Sequence, residues 1–133
     1  MVDALRSARE VLRPSGRVVL LSPVNGYRPT IVIRRGRRTV RVGPIVRKRD
    51  ADVAAAERAS RSVVRAGHLA VTRSVRPRWV STYADLVEVD ETLAESENWR
   101  LPALTRRRIK REWRDGDSLE IARRFSVTVL RRR

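Results

Sequence analysis

Only a few side chains of this sequence have the chemistry for acid–base or nucleophilic catalysis, and none stands in a recognised catalytic pattern. His68 is the only histidine, and no G-x-S-x-G nucleophile elbow occurs. There is no cysteine, which excludes disulfides and thiolate metal sites. The carboxylates from Asp85 to Glu97 lack the spacing of a calcium loop and are typical of a solvated helix face. From these residues we predict neither a catalytic group nor a metal site.

The residues best placed to touch a substrate are Ser22, Asn25 and Tyr27, which follow the aliphatic run Val18–Leu21. Such a run directly after a helix predicts a strand that is buried on both faces of an α/β sheet. Ligands of open α/β sheets collect at the carboxyl ends of strands. We therefore predict that these three residues bind substrate. Turn formation alone is an equally good explanation of Asn25-Gly26.

The basic residues offer a second kind of chemistry, the binding of anions. The formal net charge is +16, and Lys48 and Lys110 are the only lysines among 31 basic residues. Such an excess favours nucleic acid through counterion release, so we expect at least weak, non-specific binding. GC-rich coding sequence also produces many arginines, and the sequence leaves both explanations open. The densest basic groups are Arg34, Arg35, Arg37 and Arg38 in one segment, and Arg106, Arg107, Arg108, Lys110 and Arg111 in another.

The elements that must position these residues follow from hydrophobic periodicity and turn residues. A chain of 133 residues is long enough for one domain. None of its apolar runs is long enough to span a membrane, so we expect no membrane partner and a cytoplasmic location. The predicted order is a helix over 2–12, a strand over 17–22, a hairpin of strands 30–34 and 39–43, a helix over 52–66, a strand over 68–75, a helix capped by Ser81 or Thr82, a helix that begins near Pro102, and a strand over 119–130.

One stretch resembles a known family. The segment Ala4–Leu20, ALRSAREVLRPSGRVVL, is similar to class I S-adenosylmethionine-dependent methyltransferases, in which a helix ends in a Val-Leu-Arg/Lys-Pro-Gly-Gly turn and leads into the fifth strand. Ser15 replaces the more usual first glycine of the turn, and Gly16 is kept. Pro14 ends the helix, because proline cannot continue the hydrogen-bond ladder.

The resemblance implies an α/β fold, a partial Rossmann-like methyltransferase sheet. Its order would be helix–strand, then helix–strand–strand, with the last strand antiparallel between the preceding two. The chain would be a single partial domain over 1–133, the carboxy-terminal portion of the family fold. The hairpin at about 30–43 and the two helices at about 82–114 would be insertions, which in this family shape the substrate pocket.

The same resemblance implies S-adenosylmethionine as the cofactor of the intact family fold and methyl transfer to an unknown acceptor. The family binds the cofactor with a glycine-rich loop after the first strand, and no G-x-G-x-G occurs in this sequence. The family would place that loop upstream of Met1, in a complementing amino-terminal half. We therefore expect no cofactor binding and no catalysis by this chain alone. The alternative hypotheses are a small basic nucleic-acid-binding protein and a non-catalytic partner subunit.

Overall fold

The computed structural model describes residues 2–48, 50–96 and 98–133. Its elements alternate between short helices and strands, and the last strand is the longest. In chain order they are α1 (Val2–Val11), β1 (Arg17–Pro23), β2 (Thr30–Arg35), β3 (Arg38–Pro44), β4 (Val46–Arg47), α2 (Asp50–Arg65), β5 (Leu69–Val75), β6 (Arg78–Tyr83), α3 (Leu86–Glu95), β7 (Trp99–Arg100), α4 (Ala103–Glu112) and β8 (Ser118–Arg132).

The chain divides into two compact units, each built from separate stretches of sequence. Unit 1 comprises residues 1–26, 50–77 and 124–133, and unit 2 comprises residues 27–49 and 78–123. Both predicted insertions, at 30–43 and 82–114, fall within the stretches of unit 2. That the chain is one partial domain with two insertions stays a prediction.

Unit 1 is a layer of two helices against three strands. The second part of β8 runs antiparallel to β1, from Arg17 opposite Arg131 to Pro23 opposite Phe125. It also runs antiparallel to β5, with a bulge between Val71 and Arg73. β8 therefore lies between β1 and β5, which share one direction. The core joins both helices to the sheet through Leu5, Val63, Leu69 and Leu130.

Unit 2 is built around the hairpin of β2 and β3. β2 pairs antiparallel with the first part of β8, from Thr30 opposite Ala122 to Arg34 opposite Ser118. A separate two-stranded pairing joins β4 to β7. Ten buried side chains form the core of this unit: Ile31, Ile33, Val42, Ile45, Tyr83, Val89, Leu93, Ile109, Leu119 and Ile121.

The prediction of a partial Rossmann-like methyltransferase sheet is wrong. Six strands share hydrogen bonds as one sheet, β4 and β7 form a second, and every pair whose register is described is antiparallel. The physical reason lies in β8, whose 15 residues serve as the partner of β1, β2, β5 and β6. An aliphatic run predicts that a strand is buried, but it does not fix the direction of its neighbours.

The hairpin predicted over 30–43 belongs to the larger sheet, because β2 pairs with β8 over five residues. One local prediction also needs correction. The third helix was expected to begin at Ser81 or Thr82, whereas both residues lie in β6. α3 is capped by Asp85 instead, whose carboxylate accepts a hydrogen bond from the Glu88 amide at 3.0 Å. Glu88 Oε2 in turn accepts from the Ala84 amide at 2.6 Å, so the two side chains satisfy amides at both ends of this first turn.

Candidate functional sites

The three predicted substrate-binding residues do not share one site within a single unit. Ser22 is half-buried at the end of β1, and Asn25 is exposed in the turn with Gly26, whose φ is +74°. Both belong to unit 1. Tyr27 belongs to unit 2, where its hydroxyl donates to the carbonyl of Ala122 at 3.2 Å. This bond gives Tyr27 a structural role, and substrate binding by the three residues stays a prediction.

Ser22 lines a cleft of about 480 Å³ in unit 1, on the side of the sheet that α2 covers. Leu20 and Leu130 supply apolar surface, and Ser60 and Arg61 of α2 line the opposite wall. The Ser60 hydroxyl donates to the Ala56 carbonyl, and Arg61 pairs with Glu57 one helical turn earlier. Ser60 and Arg61 are therefore engaged within α2, while Arg65 and Arg76 add two further basic side chains to the lining of the cleft.

The glycines decide whether the chain can hold S-adenosylmethionine in the way the resembled family does. That binding needs a glycine-rich loop between a strand and the start of a helix, where amides and the helix dipole meet the ligand. In this chain each glycine either precedes a strand or lies in one: Gly16, Gly26, Gly36, Gly43, Gly67 and Gly116. The described residues therefore do not fit this cofactor, and no step of methyl transfer can be derived from them.

Gly16 has a structural role in the turn between α1 and β1. Its amide donates to the Arg13 carbonyl at 2.8 Å and closes the turn between α1 and β1. A Cβ at this position would approach Leu12 Cδ1 to 2.7 Å and the Arg13 carbonyl oxygen to 3.0 Å. A side chain at this position would force Leu12 and the turn backbone to shift, which favours glycine.

Three arginines of the two predicted basic groups are held by carboxylates of unit 2. Each pair is bidentate, which adds directional specificity to the charge attraction. Arg34 meets Glu120 at 2.8 and 2.9 Å, Arg35 meets Asp117 at 2.9 and 2.8 Å, and Arg106 meets Asp90 at 2.6 Å through both nitrogens. These arginines serve the structure of the unit.

The Arg35–Asp117 pair fixes the carboxyl end of α4. Arg35 Nη2 also donates to the Glu112 carbonyl at 2.7 Å, at the last residue of the helix, where a cation opposes the negative end of the helix dipole. Hydrogen bonding from Arg35 lowers the pKa of Asp117, and hydrogen bonding from Arg34 lowers the pKa of Glu120. Both carboxylates therefore stay ionised beside their arginines.

A groove of about 630 Å³ runs between β3 and α4 in unit 2. Arg41 of β3 and Arg107, Arg108 and Arg111 of α4 line it, with Glu112 as the one acid among its lining residues. Val40 and Leu104 form apolar surface, and Leu104 is 54% exposed. The groove therefore combines a strong positive charge with an aliphatic floor.

No family model matches this chain, and the comparisons with curated proteins and with solved structures found no match either.

Among the helices formed by the described residues, none has the length and apolar character that crossing a membrane requires. Within residues 2–48, 50–96 and 98–133, no three His, Cys, Asp or Glu side chains are grouped to hold a metal ion. Of the carboxylates between Asp85 and Glu97, Asp90 pairs with Arg106, and Glu97 lies outside the described residues.

Proposed function

We propose that this chain is the carboxy-terminal part of an S-adenosylmethionine-dependent methyltransferase, with the acceptor unidentified and the cofactor supplied by a complementing amino-terminal half. The antiparallel pairing removes strand direction as an argument for the family, and the chain itself does not fit the cofactor. The proposal rests on local features of unit 1. The cytoplasmic location expected from the sequence belongs to the same proposal.

The observation that supports it best is an aliphatic sheet face that unit 1 leaves uncovered. Side chains of paired residues share a face, and successive residues alternate between faces. Val18 and Leu20 pack towards the helices, so Val19 and Leu21 point the other way, and they are 62% and 68% exposed. Val129 and Val127 of β8 lie opposite them in register, and Val75 of β5 lies opposite Val127.

The prediction that the strand over 17–22 is buried on both faces is therefore wrong for unit 1, because its helices cover one face only. A contiguous apolar patch of this kind marks an interaction surface on a protein. β1 also has an open edge, since β8 is its only partner among the described strands. A second sheet-forming segment that pairs with this edge and covers the aliphatic face would complete a two-sided layer.

The turn between α1 and β1 is the second supporting feature. The Pro14–Gly16 turn joins helix to strand in the order that the resemblance implies, and the close approach at Gly16 explains why glycine is kept while Ser15 is tolerated. Ser15 is exposed, so a side chain is accommodated at that position of the turn.

The test is a fusion protein. The amino-terminal half of a class I methyltransferase of known structure, cut before its own Pro-Gly-Gly helix, is joined to residues 2–133, and S-adenosylmethionine binding is measured by calorimetry. We expect micromolar binding by the fusion and none by either part alone. Reading the DNA upstream of the Met1 codon for an in-frame strand followed by G-x-G-x-G is an independent check.

The control variants distinguish an effect on completion of the sheet from an effect on the stability of the chain. Val19→Thr with Leu21→Thr should abolish cofactor binding by the fusion, yet change the stability of the isolated chain by no more than about 0.5 kcal/mol, because both side chains are exposed. Val80→Thr, at a position 42% exposed in unit 2, should leave binding intact. A fusion that folds cooperatively but binds no cofactor would contradict the proposal, as would undiminished binding by the double variant.

A further inference from the structure

We propose that the groove between β3 and α4 of unit 2 binds the phosphodiester backbone of a nucleic acid. This site is separate from the aliphatic face of unit 1, and the inference does not depend on the methyltransferase proposal. Its residues are the arginines at 41, 107, 108 and 111, with the aliphatic floor of Val40 and Leu104.

The charge of the groove is not neutralised by unit 2 itself. Among the described residues, Arg41, Arg107 and Arg108 have no carboxylate within salt-bridge distance, and Arg41 donates a long hydrogen bond of 3.5 Å to the Thr30 hydroxyl. Arg111 meets Glu112 at 3.1 Å in an exposed pair, which is worth little in water. Of the basic residues that the sequence places together, Arg34, Arg35 and Arg106 thus pair with carboxylates, whereas Arg107, Arg108 and Arg111 line the groove.

The groove has a rigid frame. The Thr105 hydroxyl donates to the Pro44 carbonyl at 3.0 Å, and Gly43 allows α4 to lie directly on β3. Arg35 ties the carboxyl end of the same helix. A helix held at both ends fixes the positions from which these arginines extend, so only their side chains have to become ordered on binding, which favours a site over a diffuse basic surface.

A nucleic acid fits this groove better than an acidic peptide does. Guanidinium forks bind phosphate oxygens bidentately, and the dense line of backbone phosphates releases condensed counterions that a peptide lacks. Arg107 and Arg111 lie about 6 Å apart along the helix axis, which limits the contact to about three phosphates. The lining residues include no aromatic ring for base stacking, so we expect no sequence preference.

The experiment measures fluorescence anisotropy of labelled single-stranded RNA, single-stranded DNA and duplex DNA of mixed sequence with the full chain. The groove variant combines Arg41→Gln, Arg107→Gln and Arg108→Gln. The matched control combines Arg6→Gln, Arg13→Gln and Arg58→Gln, three exposed arginines of unit 1 that remove the same charge. Thermal melts confirm that both variants are folded.

For about three phosphates on a single strand, affinity should fall about 20-fold between 50 and 200 mM salt. The groove variant should bind all probes at least about tenfold more weakly, with a salt dependence reduced by about two in log–log slope, and the control should lose less than about threefold. If the groove variant melts early, Arg108→Gln compared with Arg58→Gln makes the same test. Equal losses in the two variants would overturn the site. Competition by a polyglutamate peptide as strong as that by an oligonucleotide of equal charge would overturn the class of partner.

Discussion

Replacing Gly43 by alanine tests whether α4 is seated on β3 as closely as the groove requires. Gly43 is buried with φ at +153°, a backbone conformation that only glycine adopts readily. An added Cβ would overlap with Thr105 Oγ1 and approach Thr105 Cβ and Cγ2 to 3.1 Å. Thr105 is 2% exposed and bonded to the Pro44 carbonyl, so it has little room to move.

The expected cost has two parts that a control can separate. The backbone strain is worth about 1–3 kcal/mol and the overpacking about 1–3 kcal/mol, so Gly43→Ala should lower the free energy of unfolding by about 2–6 kcal/mol. At about 4 °C per kcal/mol for a chain of this size, Tm should fall by about 8–24 °C. Gly36→Ala, in the open hairpin turn at φ +56°, meets nothing within 4 Å and should cost only about 1 kcal/mol.

The assay is denaturant unfolding followed by circular dichroism, for both single variants and for Gly43→Ala combined with Thr105→Ala. Removing the Thr105 hydroxyl and methyl relieves the overlap, so the double variant should be less destabilised than the sum of its parts by about 1 kcal/mol or more. The reasoning fails if Gly43→Ala costs no more than Gly36→Ala, or if the two substitutions at positions 43 and 105 are additive.

Three further outcomes follow from named contacts. Because Arg35 lowers the pKa of Asp117, this pair stabilises the folded state above about pH 4, and its contribution is lost as the pH falls through the lowered pKa. Arg35→Gln should therefore make Tm less sensitive to acid in a series of melts from about pH 6 to 2.5. Leu130→Ala, at a position 1% exposed in the core of unit 1, should cost about 2–5 kcal/mol in denaturant unfolding. Gly16→Ala should cost about 1–3 kcal/mol in the same assay, because Leu12 and the turn backbone must shift; a melt identical to the parent's would show that the turn is not tight.

The elements that the sequence predicted well are those with strong local signals. α2 has two aspartates in its first turn and ends before Gly67, whose φ is +74°, and β8 contains the aliphatic alternation that begins at Leu119. β4 and β7 were not predicted, because two residues each are too few to show an alternation of apolar and polar side chains. β6 was missed because Ser81 and Thr82, near its end, were interpreted as a helix cap. The Asp85-x-x-Glu88 pattern is a capping box and would have placed the start of α3 correctly.

The candidate sites were less predictable than the elements, because they depend on partners that are distant in the sequence. The net charge does not distinguish paired from unpaired arginines. Arg34 and Arg35 pair with carboxylates that are 86 and 82 residues away, and no local sequence pattern reveals the strand pairing that brings them together. Arg107 and Arg108 lie next to Arg106 in the sequence, but neither forms an ion pair with a carboxylate among the described residues. A basic cluster in a sequence therefore predicts an anion-binding surface only after the acids of the same unit have been assigned to their partners. In this chain that assignment makes Arg34 and Arg35 of the hairpin structural residues and leaves Arg107 and Arg108 of α4 without an acidic partner among the described residues.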